Sequence, residues 1–422
     1  MQTLTLPEYG TLTDIALDPA DAEALAAFAP TQLSVAPTLR GDGYDLSASS
    51  WVGTIHTPGC SLVLEPKIPV PRLLFLLSYT LDPARWRDIP FDFATAPSLL
   101  EAMIPGFVHQ VRRAIELGLL QGYQRRADTL TTVRGRIDFS QQLRRHHGRS
   151  PPIEVAYDEF TEDIIENRLL KAAIHRLGQL QLRTATSRRA LRALASAFDR
   201  ISLVPYDPHR LPDVAYTRLN RHYQPAVELA RLILQATSIN LSHGGQRSSA
   251  FLVNMNDIFE AFVTVALREA LDADERTFPT PDRAPRLHLD DDRHINVRPD
   301  LTWLRNGRRV FVGDVKYKQT APTSSPNADL YQALAYTVAT GLPDAMLIYA
   351  AGEIDDGDHS ISSVGKQLRV RTLDVSTEPE QVLAQADRLA AEIRDLAARP
   401  QPAAHQLTVS RQPMPAQRAA HR

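Results

Sequence analysis

The sequence predicts an α+β / α/β protein: an N-terminal mixed β and helical region, then a mixed sheet flanked by helices. Three observations predict it. Short runs within residues 44–65 are strand-like and separated by Gly and Pro turn signals. Residues 97–236 carry apolar stripes at helical spacing. From residue 254 the order is helix, three antiparallel strands, helix and strand, which sets helices against a mixed sheet. The expected division is 1–245, β-rich to about 90 and then mainly helical, followed by 246–398. Residues 399–422 are rich in Pro, Ala, Gln and Arg and are expected to be disordered.

With 422 residues the chain can build two or three domains with their own cores. Its 43% hydrophobic and 23% charged content is ordinary for a globular protein. A formal net charge of −2 excludes a uniformly basic nucleic-acid binder, so any such surface is local. The single cysteine, Cys60, excludes an internal disulfide, suits a reducing, cytoplasmic compartment, and is expected to be a small buried residue. The opening MQTLTLPEYG lacks the charged leader and apolar core of a signal peptide. The longest apolar run, around Leu73 to Leu81, is too short to span a bilayer, so no membrane association is expected.

In chain order, strands are expected at Tyr44–Ala48, Trp51–His56 and Ser61–Glu65. Glu65-Pro66-Lys67 has an acid-x-Lys spacing, but Pro66 removes a ladder donor, which suits an edge position and a structural role. An apolar helical pattern runs from Pro97 to Gly122. The stretch 125–149 is dense in cations: Arg125, Arg126, Arg134, Arg136, Arg144, Arg145, His146, His147 and Arg149. A solvated face is the usual reading of such a run; contact with phosphates or an acidic partner is the sharper one. Aromatic residues are too sparse there for base stacking, and the histidines lack partners at zinc-ligand spacing. Helices are expected at Thr161–Leu180, with Thr161 as cap, at Ser187–Phe198 and at His222–Ala236. Asn240 to Ser249 is polar and Gly-containing, which suits a boundary.

The second region opens with a helix from Asn254 to Leu271. Its apolar face is Met255, Phe259, Phe262, Ala266 and Ala270, with Glu260 beside it. A strand near Arg286–Leu289 and an acidic turn at Asp290–Asp292 precede the most informative stretch, Asn296 to Lys318. A helix over Ala328–Thr340 places Gln332 and Tyr336 one turn apart on one face. Strands at Ala345–Ala350 and Leu368–Val375 and a helix at Pro379–Ala398 complete the order.

Asn296–Lys318 reads as two buried strands joined by a tight turn, with Pro299-Asp300 on the first and Asp314-Val315-Lys316 on the second. Alternation puts Asp314 and Lys316 on one face. Two carboxylates and a lysine in so apolar a hairpin are costly unless compensated, and a divalent cation such as Mg²⁺ is the obvious compensation. Asn306-Gly307 suggests a two-residue type I′ turn, which would pair Asp300 with Gly313. An odd-length loop or a bulge would instead set Asp300 opposite Asp314, and a shared metal requires one of these. Lysine usage adds weight: five lysines stand against 42 arginines, and two of the five fall in this stretch. A lysine is a compact ammonium whose pKa shifts on burial.

Pro299-Asp300, Asp314-x-Lys316 and Gln332-x-x-x-Tyr336, in this order of elements, resemble the PD-(D/E)xK nuclease superfamily. More specifically, MNDIFEAF (255–262) and RPDLTW, GDVKYK and DLYQALAY are similar to the McrC family, the nuclease subunits of McrBC modification-dependent restriction systems. VGTIHT and LVLEPKIP (52–69), TVRGRIDFSQQL (132–143) and YDEFTEDIIENRLLK (157–171) are similar to the same family. The resemblance implies an N-terminal partner-binding region and a PD-(D/E)xK domain over 246–398. It implies that Asp300, Asp314 and the backbone carbonyl of Val315 ligate Mg²⁺, with Mn²⁺ as the alternative. Lys316 would orient or activate water, Glu260 would support the metal, Gln332 would position substrate or Lys316, and Tyr336 would pack. The implied partners are a separate McrB-like AAA+ GTPase ring, which the first region docks into and stimulates, and double-stranded, modified DNA. Arg134 and Arg136 are the implied contacts with the ring.

This chain lacks a G-x-x-x-x-G-K-[ST] loop. Val364-Gly365-Lys366 has neither the first glycine nor the hydroxyl residue, so nucleotide hydrolysis is not expected of it alone. The competing reading is a non-catalytic adaptor that activates an NTPase through a degenerate nuclease fold; a third is a stand-alone nuclease. Intact Asp300, Asp314 and Lys316 argue against the adaptor, because a degenerate site has no physical reason to keep buried charges.

Overall fold

The structure, a computed structural model, describes residues 2–28, 32–39, 41, 43–88, 98–241, 247–317, 327–351 and 355–399. Lys318 and all but the first residue of the expected tail lie outside these.

The N-terminal region opens with β1 (Gln2–Pro7), β2 (Thr11–Ile15), α1 (Pro19–Phe28), β3 (Leu33–Pro37), β4 (Tyr44–Ala48), β5 (Trp51–His56) and β6 (Cys60–Glu65). Leu6, Leu25, Leu33, Leu46, Ile55, Leu62 and Leu64 close a small core between its two sheets. Cys60 is buried, as expected. Next come α2 (Val70–Leu81) and α3 (Leu99–Ala114), whose Ser98 cap accepts the Glu101 N–H. The apolar run at 73–81 is thus one of the most enclosed helices, with Leu73, Leu74 and Leu76 fully buried. Among the described residues no helix is long and apolar enough to cross a membrane.

The cation-rich stretch forms an arm: β7 (Gly122–Leu130), β8 (Arg136–Ile137), α4 (Phe139–His146) and β9 (Ile153–Thr161). β7 and β9 pair antiparallel over all nine residues of each, from Gly122↔Thr161 to Leu130↔Ile153. At 3.3 Å per residue this is a ribbon about 30 Å long. Thr161 ends β9 and does not cap a helix. The next helix, α5 (Ile165–Gly178), begins after Ile164 and has no side-chain cap. Asp163 instead bonds the Arg168 guanidinium, and its pKa is held well below the usual carboxylate range chiefly by that bond. α6 (Ala185–Ala197) and α7 (Gln224–Ala236) complete the helical part.

Of residues 240–249, read from sequence as a boundary, the described ones (240, 241 and 247–249) lie in two antiparallel strands, β10 (Thr237–Leu241) and β11 (Arg247–Asn254). β11 pairs with β5, giving the sheet order β1-β6-β5-β11-β10. The ladder therefore crosses the expected division at 245/246, and β11 belongs with the strands before it.

The second region contains α8 (Met255–Ala270), β12 (Leu287–His288), β13 (Asn296–Val297), β14 (Leu301–Arg305), β15 (Arg308–Lys316), α9 (Asn327–Thr340), β16 (Asp344–Ala350), β17 (Gly357–Ile361), β18 (Lys366–Leu373) and α10 (Pro379–Ala398). Its sheet order is β14-β15-β16-β18-β17. β15-β16 and β16-β18 are parallel; β14-β15 and β17-β18 are antiparallel, so the sheet is mixed as expected. The expected third antiparallel strand, near Arg286–Leu289, does not join it. β12 pairs only with β13 in a two-stranded ribbon, because Pro299 cannot donate to a ladder and the strand breaks there. α9 packs on the face of Val312, while α8 and α10 pack on the face of Phe311, Val315 and Tyr317.

A candidate metal-dependent centre at the β14–β15 hairpin

The hairpin uses both devices that the sequence offered as alternatives. Asn306 and Gly307 have φ of 52° and 75°, the left-handed pair of a type I′ turn. The strands pair Arg305↔Arg308 and Leu304↔Arg309, then shift to Trp303↔Phe311 and Leu301↔Gly313. Val310 is the extra residue, a bulge that moves the register by one. Continuing that register sets Asp300 opposite Asp314, one step beyond the end of β14. Gly313 serves the same spot, since a Cβ there would meet the Met346 carbonyl oxygen at 2.8 Å.

Asp314 is 0% exposed and Asp300 is half-buried. Asp300 Oδ2 accepts the Val315 N–H at 2.9 Å. Asp314 Oδ1 accepts the Tyr336 hydroxyl at 3.2 Å. Lys316 Nζ forms an ion pair with Asp314 Oδ2. Burial, then the charge of Asp300, pushes Asp314 up to about 7, against the opposing pull of Lys316. Asp300 is raised as well, by burial and then by Glu260, in spite of the Val315 N–H. Burial alone would lower Lys316, but Asp314 reverses this and the net shift is upward.

Glu260 comes from α8, which Asn254 caps by accepting the Asn256 N–H at 3.0 Å. Burial raises its pKa first, then the charges of Asp257 and Asp314, while Arg298 and Lys316 oppose. Glu260 is thus electrostatically part of the cluster. Among the described residues the hydrogen bond of Gln332 is from its Nε2 to the Tyr336 hydroxyl, at 2.6 Å. Tyr336, expected only to pack, has one hydroxyl proton to share between Asp314 Oδ1 and the Arg298 carbonyl at 3.0 Å. It ties α9 to β15 and to the segment leading into β14. The i, i+4 spacing of Gln332 and Tyr336 was the one sequence signal of this chain of hydrogen bonds.

A divalent cation fits these residues. The three carboxylates raise one another's pKa, a repulsion that a divalent cation would relieve. No three His, Cys, Asp or Glu side chains form a ready-made cage among the described residues. Mg²⁺ typically uses one or two carboxylates and completes its shell with water and substrate oxygens. The acidic turn is no rival: Asp290 accepts the N–H groups of His294 and Ile295 at 2.9 and 2.7 Å. Lys366 Nζ binds the carbonyls of Thr337, Gly341 and Leu342, closing the C-terminal end of α9.

Comparison with known proteins meets this geometry from a separate direction. The family described as McrBC 5-methylcytosine restriction system component matches residues 46–350. The Type IV methyl-directed restriction enzyme EcoKMcrBC of Escherichia coli (strain K12) is 21% identical over 301 residues, covering 64% of this chain and 81% of that protein. A half-complex from a tetradecameric assembly of Thermococcus gammatolerans McrB AAA+ hexamers with bound McrC contains a chain of the same fold. It has a TM-score of 0.53 at 18% identity, covering 93% of this chain and all of that one. A second structure, of the T. gammatolerans McrBC complex, aligns with a TM-score of 0.41 at 22% identity over 64% of this chain and 88% of that one. Since the match to the family takes in well over half of the sequence, this chain belongs to the McrBC restriction-system components, as its McrC-like motifs led one to expect.

Proposed function

We propose that this chain is the DNA-cleaving subunit of a McrBC-like restriction system. It hydrolyses phosphodiesters in methylated double-stranded DNA with Mg²⁺ when assembled with an AAA+ GTPase ring. The observation that carries the reading is the bulge-set juxtaposition of Asp300, Asp314 and Lys316 in an otherwise apolar hairpin. Asp300 and Asp314, with the Val315 carbonyl, would hold the metal, and Glu260 would support it directly or through water. Bound there, Mg²⁺ polarises the scissile phosphate and lowers the pKa of the attacking water. Lys316 would orient or activate the water and offset charge developing on the phosphate. Tyr336 holds Asp314 in place and Gln332 holds Tyr336. The water oxygen would bond to phosphorus as the water gives up one proton to solvent, one P–O ester bond would break, and the leaving oxygen would take one proton from solvent in return.

The arm of β7, β9 and α4 is the element proposed to dock into the GTPase ring. It offers exposed cations and exposed apolar side chains, Tyr123, Val133, Phe139, Leu143 and Phe160, that the body of the chain does not cover.

Reconstitution with the AAA+ partner tests the reading on methylated and unmethylated plasmid, with GTP hydrolysis recorded in the same tubes. Asp314→Ala is expected to lower Mg²⁺-dependent cleavage at least about 10²-fold and to leave GTPase stimulation intact. Stimulated GTP hydrolysis with no cleavage by either protein, on any substrate, would favour the adaptor.

A further inference from the structure

The segment Glu65-Pro66-Lys67 has no part in the site described above, yet the fold delivers it to the back of the catalytic strand. β1 and β6 run parallel with Pro7 beside Glu65, so the chain leaves both strands at the same end. There the Glu8 N–H donates to the Glu65 carbonyl at 2.9 Å. Glu8, only 3% exposed, accepts two hydrogen bonds at Oε1: from the Lys67 N–H at 2.9 Å and from the Tyr317 hydroxyl at 2.8 Å. The Tyr9 hydroxyl donates to the Tyr317 carbonyl at 2.9 Å. Lys67 Nζ lies 4.6 Å from the centre of the Tyr9 ring and 5.5 Å from that of Tyr317, within cation–π reach of both. Tyr9 has φ of 57°, a conformation costly for a residue with a side chain, which is kept only where the surroundings demand it.

Tyr317 directly follows Lys316, whose pairing with Tyr349 is the last rung between β15 and β16. Its ring, 4% exposed, lies 5.6 Å from that of Phe259, the neighbour of Glu260 on α8. Ser50, from the turn before β5, fixes the start of the same helix. Its carbonyl accepts the Met255 N–H at 2.9 Å, and its hydroxyl bonds the side chains of Asn254 and Asn256. The strand bearing Lys316 and the helix bearing Glu260 are therefore both held by the N-terminal sheet.

We propose that Glu8, Tyr9 and Lys67 form a clamp on Tyr317 that positions Lys316 and Glu260, so that the N-terminal sheet sets the competence of the cleavage centre. This rests on the nuclease reading of that centre. The clamp residues are positioning residues, since none of them touches the reacting atoms. Lys316 sits where β15 leaves its ladder, so the hydrogen bonds at residue 317 limit how far its backbone moves. A displacement of about 1 Å in a catalytic group can cost on the order of 10²-fold in rate.

The test uses the full chain with its AAA+ partner, comparing wild type with Tyr9→Phe, Tyr317→Phe, Glu8→Gln and Glu8→Leu. Tyr9→Phe and Tyr317→Phe each remove one hydroxyl and keep the ring. They are expected to lower the kcat of cleavage tenfold or more while KM, GTPase stimulation and melting temperature stay near wild type. Glu8→Gln keeps an acceptor and is expected to retain most activity; Glu8→Leu is not. Amide hydrogen exchange supplies a readout independent of cleavage. In Tyr317→Phe, residues 313–317 and 258–262 are expected to exchange faster while α5 is unchanged. Unaltered exchange in those segments overturns the clamp even where wild type cleaves. So does a parallel loss of cleavage, GTPase stimulation and thermal stability, which marks the contacts as general packing. Wild-type cleavage no greater than that of Asp314→Ala overturns the nuclease reading, and the exchange result then decides the clamp alone.

Discussion

At the scale of the residue, the chain keeps lysine for places that want a compact ammonium and uses arginine elsewhere. Lys171 Nζ sits among the carbonyls of Phe198, Asp199 and Ile201 at the end of α6, as Lys366 does at the end of α9. Lys67 lies over two tyrosine rings, and Lys316 lies against a fully buried aspartate. The carboxylates around Lys316 give the chain a pH response whose sign follows from their raised pKa values. In the unfolded chain Asp300, Asp314 and Glu260 ionise near the ordinary carboxylate range, about 4. In the folded chain they hold their protons to higher pH, and Asp314 does so to about 7. Between those limits the folded state binds more protons, so stability falls as pH rises through that window. Mg²⁺ competes with those protons. The melting temperature without divalent metal is therefore expected to decline from pH 5 to pH 7.5, and millimolar Mg²⁺ is expected to restore it more at the upper end than at the lower. A metal effect independent of pH, or absent in wild type, would remove these carboxylates as the metal's ligands.

At the scale of the element, the arm and the hairpin behave differently because one is buried and the other is not. Arg134 stacks on the Tyr157 ring at 4.0 Å and pairs with Glu159 at 3.6 Å, so part of its role is internal to the arm. Arg136 is exposed and makes no side-chain ion pair among the described residues. Arg136→Ala is expected to reduce stimulation of the partner's GTPase about tenfold, equivalent to about 1.4 kcal/mol of lost coupling. Nuclease-site residues and melting temperature should be unaffected; an unchanged GTPase rate would free Arg136 from that role. The same contrast explains what the sequence revealed. The stripes of α3 and α5 through α10 were legible because each helix buries one face, and α8 ran within a residue of its expected ends. β7 was not, because it is exposed along most of its length and has no apolar alternation to read; β9 carries only a short one, at Ile153, Val155 and Tyr157, ahead of a polar end. The Asp300–Asp314 register was legible only as a condition, since Asn306-Gly307 called for one register and the chemistry for another, and the bulge at Val310 reconciles them. Tyr336 was named from its spacing to Gln332 but expected only to pack, and the part of Tyr317 was missed because its partner lies far away in sequence; Glu8 and Tyr317 are separated by 309 positions.

At the scale of the whole molecule, the expected partition at residue 245 describes the order of the chain better than its cohesion. One apolar core runs from Val52 in β5 to Ala397 in α10. Phe262 of α8 is fully buried with its ring 5.5 Å from Phe75 and 5.6 Å from Tyr79, both on α2. β11 completes a sheet that begins at residue 2, and Tyr317 bonds Glu8. A fragment of residues 246–398 would lose all of these at once. Truncating one buried aromatic costs about 3–5 kcal/mol, and a whole domain is stable by only about 5–15 kcal/mol. Uncovering Phe262, stripping β11 of β5 and releasing Tyr317 together are of that order. The fragment is therefore expected to keep much of its helical signal but to lose near-ultraviolet circular dichroism and bind ANS, whereas the full chain melts in one cooperative transition. A fragment that melts cooperatively near the temperature of the full chain would show that the second region folds alone. The clamp at Tyr317 would then join two independent bodies, and loss of cleavage in its variants would report their relative placement. A fragment that fails to fold makes the N-terminal sheet part of the catalytic scaffold itself, and binding of the arm to a partner would then act on a single connected core.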